Sequence, residues 1–329
     1  MKRKLKAAFL GAGYMTTVHM KNLLKFPEIT ITAVCDTSVE KASAMKDIVP
    51  DVTPYDDFDK MLAGESFDIL YVCIPPFAHN GQIEKAAAKG IHIFVEKPMA
   101  LTVERGERML KSVEEAGVIT HVAYHMRYGR AARELKKLID TGAAGKPTLL
   151  DARYECNSLH SDWWRQKSMS GGQVFEQIIH LYDLAVSYLG EPDAVSGYIA
   201  NLAHTDIADY NVEDTSISLL KFKDGGLASI SGTNCAIPWN WKEPFTVVCE
   251  NVTAKFSDTN NATFYFTKEE PVREMEIKAD DDRYYAETEG FLSAVWGISN
   301  DGVVPISVGL KSLKMVDAVC KSNGNVINI

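Results

Sequence analysis

Short apolar runs alternate with amphipathic stretches over the first 125 residues of the chain. The apolar runs are KAAFLG, ITAVCD, ILYVCIP, IHIFVE and ITHVAY, and their length and apolarity predict strands that are buried on both faces. The stretches between them, at 17–24, 39–46, 81–89 and 103–115, carry polar residues along one face at helical spacing. This alternation predicts a doubly wound parallel sheet covered by helices, and so an α/β fold.

The pattern changes after a further helix predicted over 131–141. The segment GAAGKP interrupts the chain there, and the strand-like runs beyond it are longer: TLLDARYEC, AVSGYIAN, TSISLLKFKDGGLASISG, FTVVCENVTAKFSD and NATFYFTK. Turn sequences such as Lys-Asp-Gly-Gly at 223–226 join neighbouring runs, which favours antiparallel pairing. Three more helices are predicted, over 173–189, 285–296 and 308–321. We therefore predict a doubly wound domain over 1–124 and an α+β domain with a large, mainly antiparallel open sheet over 125–329.

Charge and composition exclude two classes of partner. The chain has 35 Lys and Arg against 44 Asp and Glu, a net charge of −9, and no long basic run, so nucleic acid is not an expected ligand. Its longest uncharged apolar stretch, 69–78, is about half the ~20 residues that cross a bilayer and contains two prolines. No membrane span is expected.

The cysteines indicate the cellular compartment. All six lie far apart in sequence, with no C-x-x-C pair, and most fall in strand-like apolar runs. Such cysteines are typical of reduced core thiols in a cytoplasmic protein. The basic start of the chain resembles a signal peptide, but Gly11 and Gly13 interrupt its apolar part. We therefore predict a first strand there and a cytoplasmic location.

A glycine-containing turn follows the first predicted strand. Gly11 is suited to a tight turn, and Gly13 lets the backbone approach a pyrophosphate at the start of the next helix. Thr16 stands where the fingerprint has a third Gly or Ala, and a plain tight turn is the alternative for this segment alone. Asp36, twenty residues further on, ends the second strand, where a carboxylate accepts both ribose hydroxyls and repels a 2′-phosphate. The pair predicts dinucleotide binding, with NAD preferred to NADP.

The IHIFVE strand ends in Glu96-Lys97-Pro98. Ligands of doubly wound sheets bind at this carboxyl edge, where a lysine would hold a hydroxyl or carbonyl oxygen. The alternative is a solvated lysine paired with Glu96. Position alone does not separate the two interpretations of Lys97.

The helix predicted over 173–189 carries Glu176, His180 and Asp183 at spacings of four and three. On an α-helix these side chains share one face, and carboxylates beside an imidazole fix its tautomer and tune its pKa for acid/base work. A surface stripe of polar residues is the alternative. A metal site on Glu176 and His180 has no third ligand in sight, so no metal is expected.

Together these motifs resemble one family. The segments FLGAGYM, AVCD, VCIPPFAHNGQIEKAAAKGIHIFVEKPM, YHMRY, WWR and SGGQVFEQIIHLYDLAVSYLGEP span nearly the whole chain, and they resemble the Gfo/Idh/MocA oxidoreductases, which include glucose-fructose oxidoreductase and inositol dehydrogenase. The resemblance implies a Rossmann domain that holds a nicotinamide dinucleotide and a second domain that holds a sugar or cyclitol against it.

The resemblance also implies roles for single residues. Lys97 and His180 fall on the family's ribose- and substrate-contacting lysine and its proton carrier, with Glu176 as the acid that orients the histidine. The implied cofactor-binding residues are Gly11, Gly13, Tyr14, Met15, Asp36, Pro75, Pro76, His79, Glu96, Lys97, Trp164 and Arg165. The implied or candidate substrate contacts are Lys97, His125, Arg127, Trp163, Glu176, His180 and Tyr285, the two aromatic residues because their faces stack on sugar rings.

Three positions depart from the family pattern. Glu176 stands where Asp is usual, Ile178 where many relatives have Gly, and His125 where Asn is frequent. The changes at Ile178 and His125 are expected to alter the wall of the substrate pocket.

The expected activity is hydride transfer between NAD(P) and a secondary alcohol of a sugar, inositol or related polyol. Two alternatives stay open. One is a non-catalytic protein that senses dinucleotide or sugar, against which Lys97 and His180 argue; the other is an NAD-dependent glycoside-cleaving or epimerising enzyme that begins with the same hydride step. A homo-oligomer, dimer or tetramer, is expected by family analogy.

Overall fold

A computed structural model describes residues 2–329 and divides them into two compact units. The first contains 2–100, 104–124 and 284–309, and the second contains 101–103, 125–283 and 310–329. The chain changes unit between 124 and 125, and the segment 284–309, assigned above to the second domain, lies in the first unit. Specific contacts hold this segment in the first unit. The Thr120 hydroxyl accepts the Ile306 N–H at 3.1 Å, and a His121 ring nitrogen accepts the Val304 N–H at 3.0 Å. Phe291 also packs on Phe94.

The first unit is built on a six-stranded parallel sheet in the order β3-β2-β1-β4-β5-β6. This confirms the predicted doubly wound sheet. Five strands coincide with the apolar runs, and the short β3 escaped prediction because it has three residues and contains a proline. The strands are β1 (Leu5–Leu10), β2 (Ile29–Cys35), β3 (Thr53–Tyr55), β4 (Ile69–Val72), β5 (His92–Val95) and β6 (Thr120–Val122).

Helices join these strands. The observed helices are α1 (Tyr14–Leu23), α2 (Val39–Ala44), α3 (Phe58–Gly64), α4 (Gln82–Ala87) and α5 (Val103–Ala116), followed along the chain by α6 (Arg130–Asp140), α7 (Lys167–Ser170), α8 (Ile179–Leu189), α9 (Arg283–Val295) and α10 (Ile306–Ser322). Side chains cap two of the short helices, Ser38 at α2 and Asp57 at α3. The core of this unit includes stacked rings of Phe9, Tyr71 and Phe94.

The second unit is built on a nine-stranded sheet in the order β14-β13-β12-β11-β7-β10-β9-β8-β15. All neighbouring strands are antiparallel except β7 and β10, which confirms the mainly antiparallel sheet. The strands are β7 (Pro147–Glu155), β8 (Pro192–Ala200), β9 (Thr215–Phe222), β10 (Leu227–Thr233), β11 (Phe245–Cys249), β12 (Val252–Asp258), β13 (Asn261–Phe266), β14 (Arg273–Ile277) and β15 (Ile327–Asn328).

The two faces of this sheet differ in burial. Strand β9 alternates buried and exposed positions along its length, as a strand with one covered face does. The covered face lies against α8, which packs on β7 and β10. The other face exposes apolar side chains from four neighbouring strands: Leu149, Tyr198, Ile217, Leu219 and Leu227.

The helix predicted over 173–189 is not a continuous α-helix. Residues Val174–Ile178 form a π-helical turn, and α8 begins only at Ile179. A π turn spaces its hydrogen bonds five residues apart instead of four, and such turns are frequent at functional sites. The α-helical spacing that placed Glu176 and His180 on one face therefore does not hold across this junction.

Two further observations concern the chain as a whole. Within 2–329, no helix has both the length and the apolar character needed to cross a membrane. The six cysteines are all free thiols, and burial is the main cause that raises the pKa of Cys35 and of Cys156 to about 12.

Candidate active site

The loop between β1 and α1 has the geometry of an anion-binding turn. Gly11 adopts φ +97°, and a Cβ there would come within 2.3 Å of the Cys73 carbonyl oxygen, so only glycine fits. The Thr16 hydroxyl donates to the Gly11 carbonyl at 2.7 Å. Thr16 thus stabilises the turn by a bond that the usual Gly or Ala lacks, which explains the imperfect fingerprint.

The same loop leaves room for a ligand. A Cβ on Gly13 would meet open space, and Gly13 is the N-cap of α1, whose first turn, beginning with Tyr14 and Met15, contains no acidic residue. The free N–H groups and positive dipole end of such a helix favour a phosphate.

Asp36 is held next to this loop. Its Oδ2 accepts the Ala12 N–H at 2.9 Å, and its Oδ1 accepts the Ser38 N–H at 3.0 Å. Oδ1 also accepts the Thr37 hydroxyl at 3.5 Å, whereas Oδ2 keeps a lone pair that can accept a ribose hydroxyl. The glycine turn, the start of α1 and Asp36 therefore fit a dinucleotide.

His79 lies buried just after the short 3₁₀ turn Pro76–Ala78, which Pro75 precedes. Burial, assisted by the positive charge of Arg105, lowers the pKa of His79 to about 4. The imidazole is therefore neutral at pH 7. Neither ring nitrogen has a hydrogen-bond partner among residues 2–329, which leaves a donor and an acceptor for a ligand.

Glu96 and Lys97 follow β5. The buried Glu96 carboxylate contacts Nε2 of His19, on α1, at 2.7 Å, and its second oxygen accepts the Lys97 N–H at 3.1 Å. These bonds fix the peptide that carries Lys97. Glu96, predicted to bind cofactor, has the contacts of a residue that positions its neighbour.

Two glycines and a buried carboxylate shape the start of the π turn. Gly171 and Gly172 have φ of +83° and +106°, and a Cβ on Gly172 would come within 2.3 Å of Glu213 Oε2. Glu213 accepts the Val174 N–H at 2.8 Å, and burial raises the pKa of this carboxyl. The Gly-Gly pair therefore lets Glu213 cap the turn that presents Glu176.

Glu176 has a well-defined partner. Its Oε2 accepts the indole N–H of Trp164 at 2.7 Å. An indole has one N–H, so Trp164, predicted to reach the cofactor, has no N–H left for that purpose. The His160 ring lies 4.2 Å from the Trp164 ring.

His180 lies on α8 with its ring 4.4 Å from that of His125, nearly perpendicular to it. Two residues beyond His125, Arg127 donates from Nε and Nη2 to the buried Asp183 carboxylate at 2.5 and 2.7 Å. The structure therefore brings together His125 and His180, both of which are candidate substrate contacts. Through its pair with Asp183, Arg127, another candidate substrate contact, anchors the turn His125–Tyr128 to α8.

Ile178 is not a pocket-wall residue. Its side chain is fully buried and lies over Gly232 on β10, where an added Cβ would come within 1.9 Å of Ile178 Cδ1. The expectation that this departure alters the substrate pocket is therefore wrong. The isoleucine fills the space that a glycine leaves on the facing strand.

The remaining predicted residues are placed as follows. Trp163 packs against the cluster of Trp164, Tyr210 and Val212. Arg165 pairs with Asp162. Tyr285 stacks on Phe26 at 5.2 Å, and the Lys25 ammonium lies 5.0 Å from its ring, so a sugar-stacking role for Tyr285 has no support in this geometry.

Sequence reasoning missed several residues of these two clusters. His19 and Glu213 are buried partners whose importance depends on contacts far apart in sequence. The segment 236–241, Ala-Ile-Pro-Trp-Asn-Trp, did carry a signal, since two tryptophans lie one residue apart between predicted strands. In the second unit, two contact pairs are therefore candidates for the site, Trp164 with Glu176 and His125 with His180.

Comparisons with known proteins identify the family. Residues 5–124 match the model of the oxidoreductase family GFO_IDH_MocA, with an NAD-binding Rossmann fold, and residues 132–255 match the GFO/IDH/MocA C-terminal domain.

Relatives and solved structures agree with these matches. The chain is 25% identical over 234 residues to myo-inositol 2-dehydrogenase from Thermotoga maritima, covering 71% of this chain and 70% of that one. It is 27% identical over 240 residues to D-glucoside 3-dehydrogenase from Escherichia coli, covering 68% of each. The fold matches levoglucosan dehydrogenase in complex with NADH and L-sorbose with a TM-score of 0.90, at 18% identity over 99% of both chains. The chain is therefore an NAD-binding oxidoreductase of the Gfo/Idh/MocA family.

Proposed function

We propose that this oxidoreductase oxidises a secondary alcohol of a sugar, inositol or related polyol, and that the reverse reduction uses the same groups. The alcohol carbon gives a hydride to the nicotinamide and its hydroxyl gives up a proton, so alcohol and NAD⁺ become ketone, NADH and H⁺. The observation that carries the proposal is the cluster around His180, an imidazole beside a carboxylate-bearing π turn. The names of the inositol and glucoside dehydrogenase relatives support the substrate class.

His180 is the proposed proton carrier. It lies on α8, which Glu213 caps through the π turn and Arg127 anchors through Asp183. A general base must be held still to work at full efficiency, because misplacement by a fraction of an ångström lowers the rate. Glu176, held by Trp164, supplies negative charge on the same segment, which stabilises an imidazolium after proton uptake.

Lys97 is proposed to bind the reacting oxygen. An ammonium stabilises an alkoxide as negative charge develops on it. The Glu96 carboxylate, anchored by His19, fixes the peptide of Lys97. His19 therefore positions Glu96, and Glu96 positions Lys97. Of these three residues, Lys97 alone contacts the substrate in this proposal.

The cofactor is proposed to be NAD in preference to NADP. Gly11, Gly13 and the start of α1 would hold the pyrophosphate, Asp36 the adenosine ribose, and His79 a hydroxyl or amide nearby. When bound, the nicotinamide supplies the hydride acceptor. The Asp36 charge would face a 2′-phosphate, and no arginine follows in Thr37-Ser38-Val39.

Assembly and location complete the proposal. Five large apolar side chains are exposed on one face of the second unit's sheet, and a patch of this kind is typical of an interface, so we propose a dimer or tetramer through it. Six free thiols with no disulfide between them favour a cytoplasmic location. Light scattering of the purified protein tests the oligomeric state, and a monomer at micromolar concentration contradicts the proposed dimer or tetramer.

One experiment tests the activity. Inositols, hexoses, glycosides and sugar acids are each incubated with NAD⁺, and NADH formation is followed by absorbance, with His180→Ala as the matched control. We expect at least one polyol or sugar to be oxidised by the unmodified protein and not by the variant. Tight NADH binding with no turnover of any of them, in either direction, would instead identify a sensing protein.

A further inference from the structure

The second unit exposes an aromatic loop that contacts His160, the neighbour of Trp164. Residues 236–241 project beyond β10, and three of their six side chains are large, apolar and open to solvent: Ile237 is 65% exposed, Trp239 79% and Trp241 40%. Single exposed apolar residues are common, but a cluster of this size marks a binding surface. Trp239 also adopts φ +61°, a backbone conformation that few residues other than glycine take up.

The loop is anchored at its base. Glu155 and Lys242 exchange both backbone hydrogen bonds at 2.9 Å, the Ala236 N–H donates to the Cys156 carbonyl at 3.0 Å, and the Asn157 amide donates to the Ala236 carbonyl at 2.9 Å. Both ends of the projection are thus fastened to the end of β7. A surface that is already ordered loses little conformational entropy when it binds a ligand.

A continuous series of contacts joins this loop to the π turn that carries Glu176 and precedes α8. The Trp241 ring lies 6.3 Å from the His160 ring, edge to face, and His160 lies 4.2 Å from Trp164. Trp164 in turn donates to Glu176. A second path runs from the His160 ring nitrogen to the Gln177 amide nitrogen, 3.1 Å away, on the π turn beside Glu176.

We propose that Trp241 and Trp239, with His160 between them and the catalytic helix, form an outer sugar subsite, and that the substrate is a glycoside with at least two rings. This rests on the proposed function. The ring to be oxidised would lie at His180, and the second ring would stack on the tryptophan faces. The substrate class is therefore a disaccharide or aryl glycoside in preference to a free monosaccharide or inositol.

The chemistry of the loop matches this occupant. All six of its residues are uncharged, so the loop suits a neutral ligand better than a phosphorylated one. The negative face of an indole attracts the polarised C–H bonds on the apolar face of a pyranose. The Asn240 amide and the two indole N–H groups lie on the same segment and can bond to the hydroxyls around the ring.

The test compares matched substrates. Methyl α-glucoside with maltose, methyl β-glucoside with cellobiose, and methyl β-galactoside with lactose each differ mainly by the second ring, and NADH formation gives kcat and KM. We expect the preferred disaccharide to exceed its methyl glycoside in kcat/KM by about 3- to 10-fold, the size expected of one or two aromatic contacts. Trp241→Ala should remove this advantage by raising KM for the disaccharide, with kcat/KM for the methyl glycoside changed less than about 2-fold.

Three further variants sharpen the result. Trp241→Phe keeps an aromatic face and should restore most of the preference, Trp239→Ala should lower it, and Leu202→Ala, which truncates an apolar side chain 68% exposed on another loop, should leave it unchanged. Equal effects of Trp241→Ala on both members of a pair overturn the subsite. So does loss of oligomeric mass on light scattering with unchanged sugar preference, since the loop would then contact a second copy of the chain.

A binding measurement separates failure of the subsite from failure of the proposed function. Saturation-transfer NMR with cellobiose and maltose in the presence of NADH needs no turnover. If no sugar is oxidised, the proposed activity fails, while saturation of the second ring by the unmodified protein and not by Trp241→Ala still supports the subsite. Absence of saturation transfer from the unmodified protein to every disaccharide overturns it.

Discussion

The indole N–H of Trp164 donates to the carboxylate of Glu176 at 2.7 Å. Glu176 lies in a π turn, so the contact that positions it comes from a residue twelve places earlier in the chain and not from α-helical spacing. An aspartate is one methylene shorter and would not reach the indole from the same backbone position. The glutamate at this position therefore matches the tryptophan that holds it.

The first prediction concerns this pair. Glu176→Gln keeps an oxygen for the Trp164 N–H but removes the charge, so proton transfer should slow while the site keeps its shape. The expected loss in kcat lies within the ~10²–10⁴ range for general acid/base catalysis and below the loss for His180→Ala. Trp164→Phe removes the hydrogen bond to a charged group together with part of a buried ring, and loss of the bond should lower kcat by about 10- to 100-fold. A silent Glu176→Gln beside an inactive His180→Ala would assign Glu176 to a purely structural role.

Ile178 and Gly232 form a complementary pair in the core. Gly232→Ala adds a methyl group against the Ile178 side chain and should destabilise the protein by about 1–3 kcal/mol, whereas Ile178→Ala should cost about 2–5 kcal/mol. In the double variant the smaller side chain at 178 relieves the clash. The loss of stability in the double variant should therefore be smaller than the sum of the losses in the two single variants. Denaturant unfolding measures this. Gly232→Ala combined with Ile69→Ala, which truncates a buried side chain of the first unit, is the control and should be additive.

The cofactor preference depends on Asp36. Asp36→Ala with Ser38→Arg should shift preference toward NADP, since it replaces a repelling carboxylate by a guanidinium. Because Asp36 also accepts two backbone N–H groups, Asp36→Asn is the matched control: it keeps an acceptor and removes the charge. Fluorescence titration with NADH and NADPH gives both affinities. An unmodified protein that binds NADPH tenfold more tightly than NADH contradicts the assignment.

Lys97→Met should lower kcat by about 10²-fold or more, the scale for loss of a preorganised charge at a developing alkoxide. The affinity for NADH should stay within a few-fold, because the dinucleotide loop and Asp36 are unchanged. Lys46→Met, on the same unit, controls for loss of a surface charge. Near-normal kcat in Lys97→Met would return this residue to its alternative role as a solvated cation at a strand end.

The buried His79 predicts a pH dependence of stability. Its pKa in the folded protein is about 4, below the ~6.5 of an unfolded chain, so the unfolded state takes up the proton first. Stability is therefore complete above pH 6.5 and is lost as the pH falls toward 4, by about 2 kcal/mol at pH 5. Urea unfolding of the protein without cofactor at pH 7.5 and 5 should show a smaller difference in His79→Gln. Equal differences in the two proteins would mean that His79 is protonated without cost.

Several features of the fold followed from periodicity alone. The five apolar runs of the first half became β1, β2, β4, β5 and β6, because strands buried on both faces must be apolar throughout. The dinucleotide loop and Asp36 could also be predicted from the sequence, since their chemistry depends on residues that are close in sequence or separated by a fixed supersecondary unit. By contrast, β3 is too short to show a period, and β14 is polar and exposed along most of its length.

The candidate site likewise has some features that the sequence predicts and others that depend on the tertiary structure. The sequence by itself determined which residue types could carry chemistry, Lys97, Glu176 and His180, that Lys97 follows a strand and that His180 lies on a helix. Only the tertiary structure decided that Arg127 binds Asp183, that Ile178 fills the space over Gly232, that Trp164 holds Glu176, and that 284–309 joins the first unit. These contacts join residues as far apart as Thr120 and Ile306, 186 positions away, and local propensity does not register them, because burial and hydrogen-bond partners depend on which strands pair and which helix covers them.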